Sequence, residues 1–420
     1  MVEETNNYAV ADMGLADKGL KRIEWAEDHM PVLMQLRKRY EAEKPLAEIR
    51  IGGAIHVTKE TAVLVRTLRA LGAEVAWAGC NPLSTQDDVA AQMAKEGVKI
   101  FAWHANDDKY YWCLDKVLET KPDFTMDDGG DLVFRFYDQH KDKMQIRGGT
   151  EETSTGVIRF VNMAKDGKLP YPIIAVNNAE TKWDFDNVYG TGQGAIDGLL
   201  RASSVLIAGK NFVVAGYGHC GKGTAIRAKG MGAKVIITEV NPINALKATL
   251  DGFRVLSMKE AAKIGDIFIT STGCKDIMTK EHFLLLKNGA ILGNVGHFNV
   301  EIRVDQLDEY AESKREIRKD LEEYTFEDGR KVYLVAQGRL ANLAAAEGHP
   351  SEVMDMSFAN QVLCILRLAK EVDMMEKKVY EISKEQDQEI ANMKLASMGI
   401  EIDKLSEEQI KYAESYAEGT

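Results

Sequence analysis

The chain has 420 residues, which allows two or three domains at roughly 150 residues each. Charged residues make up 28% and apolar residues 45%, ordinary for a soluble globular protein, so a collagen-like, low-complexity or disordered chain is excluded. Lys and Arg number 53 against 65 Asp and Glu, and the net charge of −12 repels phosphate backbones and argues against nucleic acid as a partner.

Residues 13–44 read as mainly helical, because Ile23, Ala26, Met30, Leu33 and Leu36 recur at three- and four-residue steps. Pro31 predicts either a kink or the start of a second helix. From 49 to 128 apolar runs alternate with helical stretches: strands over 49–57, 74–79, 98–103 and 124–126, helices over 61–71, 87–95 and 110–118. That order implies a parallel sheet covered on both faces, with ligands bound beyond the carboxyl ends of its strands. Those ends carry His56, then NPLSTQ (81–86), then Trp103 and His104, then DDGG (127–130). A second series begins near 211: a strand over 211–215, a helix over 222–231, and strands over 234–238, 267–270, 290–293 and 332–336. The chain therefore holds two α/β units, with no short-period repeat. Beyond about 383 it is charged and helical, and Ser383 with Gln386 and Ser406 with Gln409 have capping-box spacing. This stretch reads as a solvated tail or as a docking or dimerisation arm.

No apolar run approaches the ~18 residues of a membrane span, and the opening MVEETNN lacks a signal peptide's basic and apolar blocks. Cys80, Cys113, Cys220, Cys274 and Cys364 are scattered without a CxxC pair, which argues against a zinc site or a disulfide framework and for a reducing cytoplasm.

The segment FVVAGYGHCGKG (212–223) holds G-x-G-x-x-G between a strand and a helix. Gly216 permits a tight turn, Gly218 lets a pyrophosphate approach the backbone at the positive end of a helix, and Gly221 lets helix and strand pack closely. The next strand ends in Glu239, whose carboxylate accepts ribose hydroxyls and repels a 2′-phosphate, so NAD is favoured over NADP. Other candidates read either way on their own. His56 is a core histidine or a catalytic one. DDGGD (127–131) is a turn or carries a general base. EETSTG (151–156) caps a helix or lines a site. Lys182, Asp186 and Asn187 lie between the two units, His297 ends a strand of the second, and His349-Pro350 stands where the chain returns to the first.

The order and spacing of NPLSTQD (81–87), DDGGDL (127–132), EETSTGV (151–157), FDNVYG (185–190), VAGYG (214–218), TEVNPINAL (238–246), GHFNVE (296–301), GRLANL (338–343) and GHPS (348–351) resemble the S-adenosylhomocysteine hydrolase family along nearly the whole chain. The resemblance implies two Rossmann-like, doubly wound parallel-sheet domains joined by a two-crossing hinge, with a helical tail. Residues 1–182 would form the substrate domain and 183–348 the NAD domain. Residues 349–382 would return to complete the first, and 383–420 would form an oligomerisation tail. It also implies a cytoplasmic homotetramer in the methyl cycle, a small-molecule substrate, no metal, and one tightly bound, recycled NAD per subunit.

In the family's chemistry NAD oxidises the sugar's 3′ carbon, the acidified 4′ proton leaves, homocysteine is eliminated, water adds, and the hydride returns. Lys182 would assist deprotonation of the 3′-hydroxyl beside Asp186, with a pKa that burial beside NAD+ would lower. Asp128 would take the 4′ proton, His56 and His297 would serve the leaving thiolate and the water, and Glu152 and Asn187 would hold the sugar. Thr58 and Glu60 would meet the nucleobase, with Ser84, His349 and Met354 as further substrate contacts. Glu60 favours adenosyl substrate, with S-inosylhomocysteine as the alternative. A plain dehydrogenase and a non-catalytic NAD-binding regulator are the remaining rivals. For NAD the resemblance implies Thr153, Ser154 and Thr155 at the nicotinamide, and Gly216, Gly218, His219, Cys220 and Gly221 at the glycine turn. It adds Glu239 and Asn244 at the ribose, then Thr272, Val295, Gly296, His297, Asn342 and His349. Three departures stand out. Thr191 replaces a frequent cysteine, Ser154 replaces threonine, and YAESYAEGT (412–420) lacks the terminal Lys and Tyr of longer relatives.

Overall fold

The computed structural model describes residues 2–416. Residues 417–420, the end of the stretch YAESYAEGT (412–420), lie outside the described residues. The first sheet takes β1 (Glu3–Glu4), β2 (Tyr8–Val10), β3 (Arg50–Ala54), β4 (Glu74–Ala78), β5 (Lys99–Phe101), β6 (Phe124–Asp127), β7 (Gly148–Glu151) and β8 (Ile173–Ala175). The second takes β9 (Asn211–Ala215), β10 (Lys234–Thr238), β11 (Arg254–Val255), β12 (Ile267–Thr270), β13 (Ala290–Asn294), β14 (Ala311–Arg318), β15 (Leu321–Phe326) and β16 (Lys331–Val335). The chain then returns through the helix Ser351–Glu371 and adds β17 (Val379–Tyr380) beside β8.

The strand orders are β1-β2-β5-β4-β3-β6-β7-β8-β17 and β11-β10-β9-β12-β13-β16-β15-β14. From β3 in the first sheet and β9 in the second, the winding starts near the centre, runs to one side, then crosses to the other. The reversals fall between β3 and β6 and between β9 and β12, which makes both units doubly wound α/β. Apolar layers fill both faces of each sheet. The Val- and Ile-rich central strands are buried along most of their length, as parallel strands between helices must be.

The sequence pattern locates β3 to β6, β9, β10, β12, β13 and β16, but neither the edge strands β1, β11, β14 and β17 nor the interior β2, β7, β8 and β15. Neither sheet is wholly parallel, because β1 pairs antiparallel with β2 in the first and β14, β15 and β16 form an antiparallel meander in the second. Strand β14, AESKREIR, is an exposed edge whose charges carry no apolar period. Pro31 starts the helix Pro31–Tyr40 rather than kinking one, since the first helical position needs no N–H. The carboxyl-terminal stretch divides. The helix Lys384–Ser397 packs on Pro31–Tyr40 and Ser351–Glu371 through buried Ile390 and Met393. The helix Glu407–Glu414 is exposed throughout. Ser406 and Gln409 form a reciprocal capping box. At Ser383 only the forward bond is made, because Gln386 Nε2 donates to Asn360 Oδ1 instead.

Candidate active site

A cavity of about 310 Å³ lies between the two units, lined by residues that follow β3, β6 and β7 on one side and β9, β12 and β13 on the other. It therefore sits at both reversals of strand order, where such sheets bind ligands.

Two adjacent-carboxylate motifs divide their labour there. Asp127 ends β6, and its oxygens accept from Asp128 N and Val133 N, both at 2.9 Å, which fixes the turn and the next helix. Gly129 (φ 98°) and Gly130 (φ 88°) follow in the left-handed region. A side chain at Gly129 would also meet His297 Nε2 at 2.1 Å. In the same way Glu151 Oε1 accepts from Gly129 N at 2.8 Å and Thr153 N at 2.9 Å. In each pair the first carboxyl holds backbone and the second, Asp128 or Glu152, lines the cavity. Burial pushes Asp127 up to about 7 and Glu151 well above the carboxylate range.

Asp128 stands between two histidines. Its Oδ2 is 3.5 Å from His56 Nε2 and its Oδ1 is 3.7 Å from His297 Nδ1. Ligand atoms of the three lie within 4.8 Å of one another, a spacing that a metal ion also accepts. Ser84 Oγ donates to Asn81 O at 3.1 Å and so accepts from His56 Nδ1 at 2.6 Å. That leaves His56 Nε2 as the acceptor. Burial lowers the His56 pKa to about 4, with Asp128 pulling the other way, so the ring is neutral near pH 7.

Lys182 is the second focus. The buried Nζ donates to Asn187 Oδ1 at 2.9 Å and Asn177 Oδ1 at 3.2 Å, with Asp186 Oδ2 at 3.4 Å and Glu152 Oε1 at 3.9 Å. Burial alone would lower its pKa, but Asp186 and Glu152 outweigh burial and raise it. Burial among these residues therefore does not by itself give the lowered pKa expected of it beside NAD+. Burial likewise pushes Asp186 up, but Lys182 and His349 overcome it and hold the carboxyl far below its usual range. Asp186 accepts from His349 Nδ1 and from Ser357 Oγ at 3.0 Å. Asn342 Nδ2 donates to His349 Nε2 at 3.0 Å, which fixes that tautomer. Glu152, raised by burial to about 8, accepts from Gln361 Nε2 at 2.6 Å.

The opposite wall suits a dinucleotide. Gly216 turns at φ 94°, and Gly218 caps the helix His219–Gly230, so among the described residues no N-cap side chain takes up the first amides of that helix. A Cβ on Gly218 would meet nothing within 4 Å, whereas one on Gly221 would lie 2.0 Å from Gly216 O. The buried Glu152 Oε1 and Asn342 Oδ1 have no hydrogen-bond partner among the described residues and belong to the cavity lining. Open space before a bare helix start, together with unpaired polar atoms, fits a bound cofactor with hydroxyl and amide donors.

Of the sequence-predicted residues, the cavity gathers His56, Thr58, Glu60, Asp128, Glu152, Thr153, Ser154, Thr155, Lys182, Asp186 and Asn187. It also gathers Gly218, His219, Cys220, Thr272, Val295, Gly296, His297, Asn342, His349 and Met354. Gly216, Gly221, Glu239 and Asn244 do not line it. Glu239 accepts from Tyr217 N, Val240 N and Asn241 N, tying β10 to the glycine turn. Ser84 lines a neighbouring cavity of about 810 Å³ and reaches the site through His56. Sequence reasoning missed Asn177, Ser357 and Gln361, which position the charged groups. It also missed Glu301, which accepts from Thr272 N and Gly273 N and anchors the loop after β12. A detectable signal is the run of polar residues Ser357, Asn360 and Gln361 among Met356, Phe358, Ala359 and Val362, all of them buried.

Residues 187–348 match the family model described as S-adenosyl-L-homocysteine hydrolase, NAD binding domain, and residues 7–145 match the one described as S-adenosyl-L-homocysteine hydrolase. The adenosylhomocysteinase of Saccharolobus solfataricus is 56% identical, covering 99% of this chain and 100% of its own. The adenosylhomocysteinase of Aquifex aeolicus is 54% identical, covering 98% and 100%. The S-inosyl-L-homocysteine hydrolase of Methanocaldococcus jannaschii is also 54% identical, covering 98% and 100%.

Proposed function

The chain belongs to the S-adenosyl-L-homocysteine hydrolase family, and from that premise we propose that it hydrolyses S-adenosyl-L-homocysteine reversibly to adenosine and L-homocysteine, a step of the methyl cycle. One observation carries the reading: Lys182, Asp186, Glu152, Asp128, His56 and His297 converge on the cavity that also opens onto the bare start of the helix His219–Gly230.

NAD, when bound, supplies an acceptor for a hydride of the sugar and a donor for its return. Gly216, Gly218, His219, Cys220 and Gly221 would hold it at the helix start. Thr153, Ser154, Thr155, Thr272, Val295, Gly296, Asn342 and His349 would line it, and Glu239 and Asn244 would meet it outside the cavity. Lys182, fixed by Asn187, Asn177 and Asp186, handles the proton of the 3′-hydroxyl. Glu152, uncharged below about 8, presents its Oε1 to the sugar hydroxyls. Asp128 takes the 4′ proton. His56 is neutral, with Nε2 turned to Asp128, and with His297 it trades protons with the leaving thiolate and the incoming water. All these groups are largely buried, which keeps bulk water from the reacting carbons.

Residues 1–182 and 349–382 form the substrate unit in this reading, 183–348 the NAD unit, and 383–420 an assembly tail in a homotetramer. Exposed Met398, Ile402, Leu405 and Tyr412 support an assembly role. Free cysteines support a cytoplasmic setting, and among the described residues no helix is long and apolar enough to cross a membrane.

The test is to offer purified protein S-adenosyl-L-homocysteine with no NAD added. Free thiol should appear without net NADH. Absence of thiol overturns the reading, and NADH accumulating one for one with product makes the protein a dehydrogenase.

A further inference from the structure

Resting on that reading, we infer that Lys59 is a specificity-determining residue, whose ammonium beside Glu60 lets the site hold a 6-oxopurine as well as a 6-aminopurine, so that S-inosyl-L-homocysteine is a substrate alongside the adenosyl compound.

The cavity that Glu60 lines also carries Ile55, Leu343, Met354 and Phe358, apolar side chains that suit a flat ring with one polar edge. Glu60 is 1% exposed. Its Oε1 accepts from Ser351 Oγ at 2.6 Å and pairs with Lys59 Nζ at 3.0 Å. Its Oε2 receives no hydrogen bond among the described residues. A carboxylate oxygen without a protein partner at the cavity wall can take an N–H from the ligand.

Either purine offers one. A 6-aminopurine presents its amino N–H with the acceptor N1 beside it, and a 6-oxopurine presents N1–H with the acceptor O6 beside it. A lone carboxylate discriminates sharply, because O6 would face its lone pairs. An adjacent cation removes that bias. Glu60 takes N1–H while Lys59 donates to O6, and the order reverses for the amino base. Lys59 comes from the outer cavity, where its Nζ also lies 3.4 Å from Glu347 Oε2, and it meets the inner site at Glu60. Its side chain is flexible, so a rotation about its end carries the donor to either position.

The experiment measures kcat/KM of the holoenzyme for S-inosyl- and S-adenosyl-L-homocysteine by thiol release. Wild type should turn over both. Lys59→Met should lower the inosyl-to-adenosyl ratio about 10- to 100-fold, as expected for losing a charged donor to a buried acceptor, and Lys59→Arg should restore part of it. A ratio is blind to partial unfolding or cofactor loss, which reduce both rates together. Turnover of the adenosyl compound alone, or an unchanged ratio in Lys59→Met, overturns the proposal while leaving the hydrolase reading intact. Thiol from neither compound overturns both.

Discussion

A buried carboxyl keeps its proton unless a cation is close enough to repay its lost hydration, and Glu152 sits 3.9 Å from Lys182, at the edge of that range. Its pKa of about 8 has a consequence for stability. Between about 4.5 and about 8 the native protein holds a proton that the unfolded chain has released, so stability falls as pH rises through that window. Asp127, at about 7, acts in the same direction. His56 opposes them only below 6.5, where the unfolded chain protonates an imidazole that the fold keeps neutral. The melting temperature should therefore decline from about pH 6.5 to about pH 8. Glu152→Gln, which cannot ionise, should remove part of that slope, on the order of 1–2 kcal/mol. Calorimetry across that range checks it, and an undiminished slope in the variant would sink the assignment. A second expectation concerns Lys182. Lys182→Met should keep its NAD, measured by extraction, and lose about 10²- to 10⁴-fold in kcat. Full hydride transfer in that variant would refute the proton-handling role.

Among the elements, the helix Ser351–Glu371 does the most joining. Its buried Asp355 accepts from Val32 N at 3.1 Å and Leu33 N at 2.8 Å, in the first turn of Pro31–Tyr40, and from Lys394 Nζ at 2.9 Å. One carboxyl thus fastens three helices. Asp355→Ala leaves two buried amides and an ammonium without their acceptor, so a loss of about 2–4 kcal/mol is expected, read as a lower melting temperature. Strands β9, β10 and β12 were legible to the residue, because continuous Val and Ile runs between turn residues leave no other reading. The exposed β14 and the two-residue β11 and β17 were not, since edges carry no apolar period. The site was legible in its residue types and opaque in its electrostatics. Which carboxyl of Asp127-Asp128 or Glu151-Glu152 enters the cavity depends on where each strand stops. The direction of the Lys182 shift depends on Asp186 one turn away and Glu152 thirty residues back.

At the scale of the whole molecule, the two units touch through charges as well as through the cavity. Glu347, just before the second crossing, lies 3.2 Å from Arg22 and 3.4 Å from Lys59 of the first unit and 3.6 Å from Arg201 of the second. Arg339 meets Asp107 across the gap at 2.5 Å. The expected motion is a hinge at the two covalent crossings, with these pairs holding the closed arrangement. Exposed ion pairs are each worth about 0–1 kcal/mol and weaken with salt. Glu347→Gln with Asp107→Asn should therefore raise KM a few-fold, flatten its dependence on ionic strength, and enlarge the radius of gyration in solution scattering. Unchanged values in all three would mean that these pairs do not hold the closed form.

The return of the chain also sets a schedule for synthesis. Strands β3 to β8 leave the ribosome first. Yet Phe358, Val362, Ile365 and Leu368, which cover Ile51, Phe124, Met126 and Ile174, are translated only after β9 to β16. At ordinary elongation rates the nascent amino-terminal half waits on the order of ten seconds with an oily face uncovered. The later-made nucleotide unit, contiguous in sequence, can mature before the earlier one. Ribosome stalling upstream of 351 should strand a chaperone-bound intermediate in which only the second half resists protease.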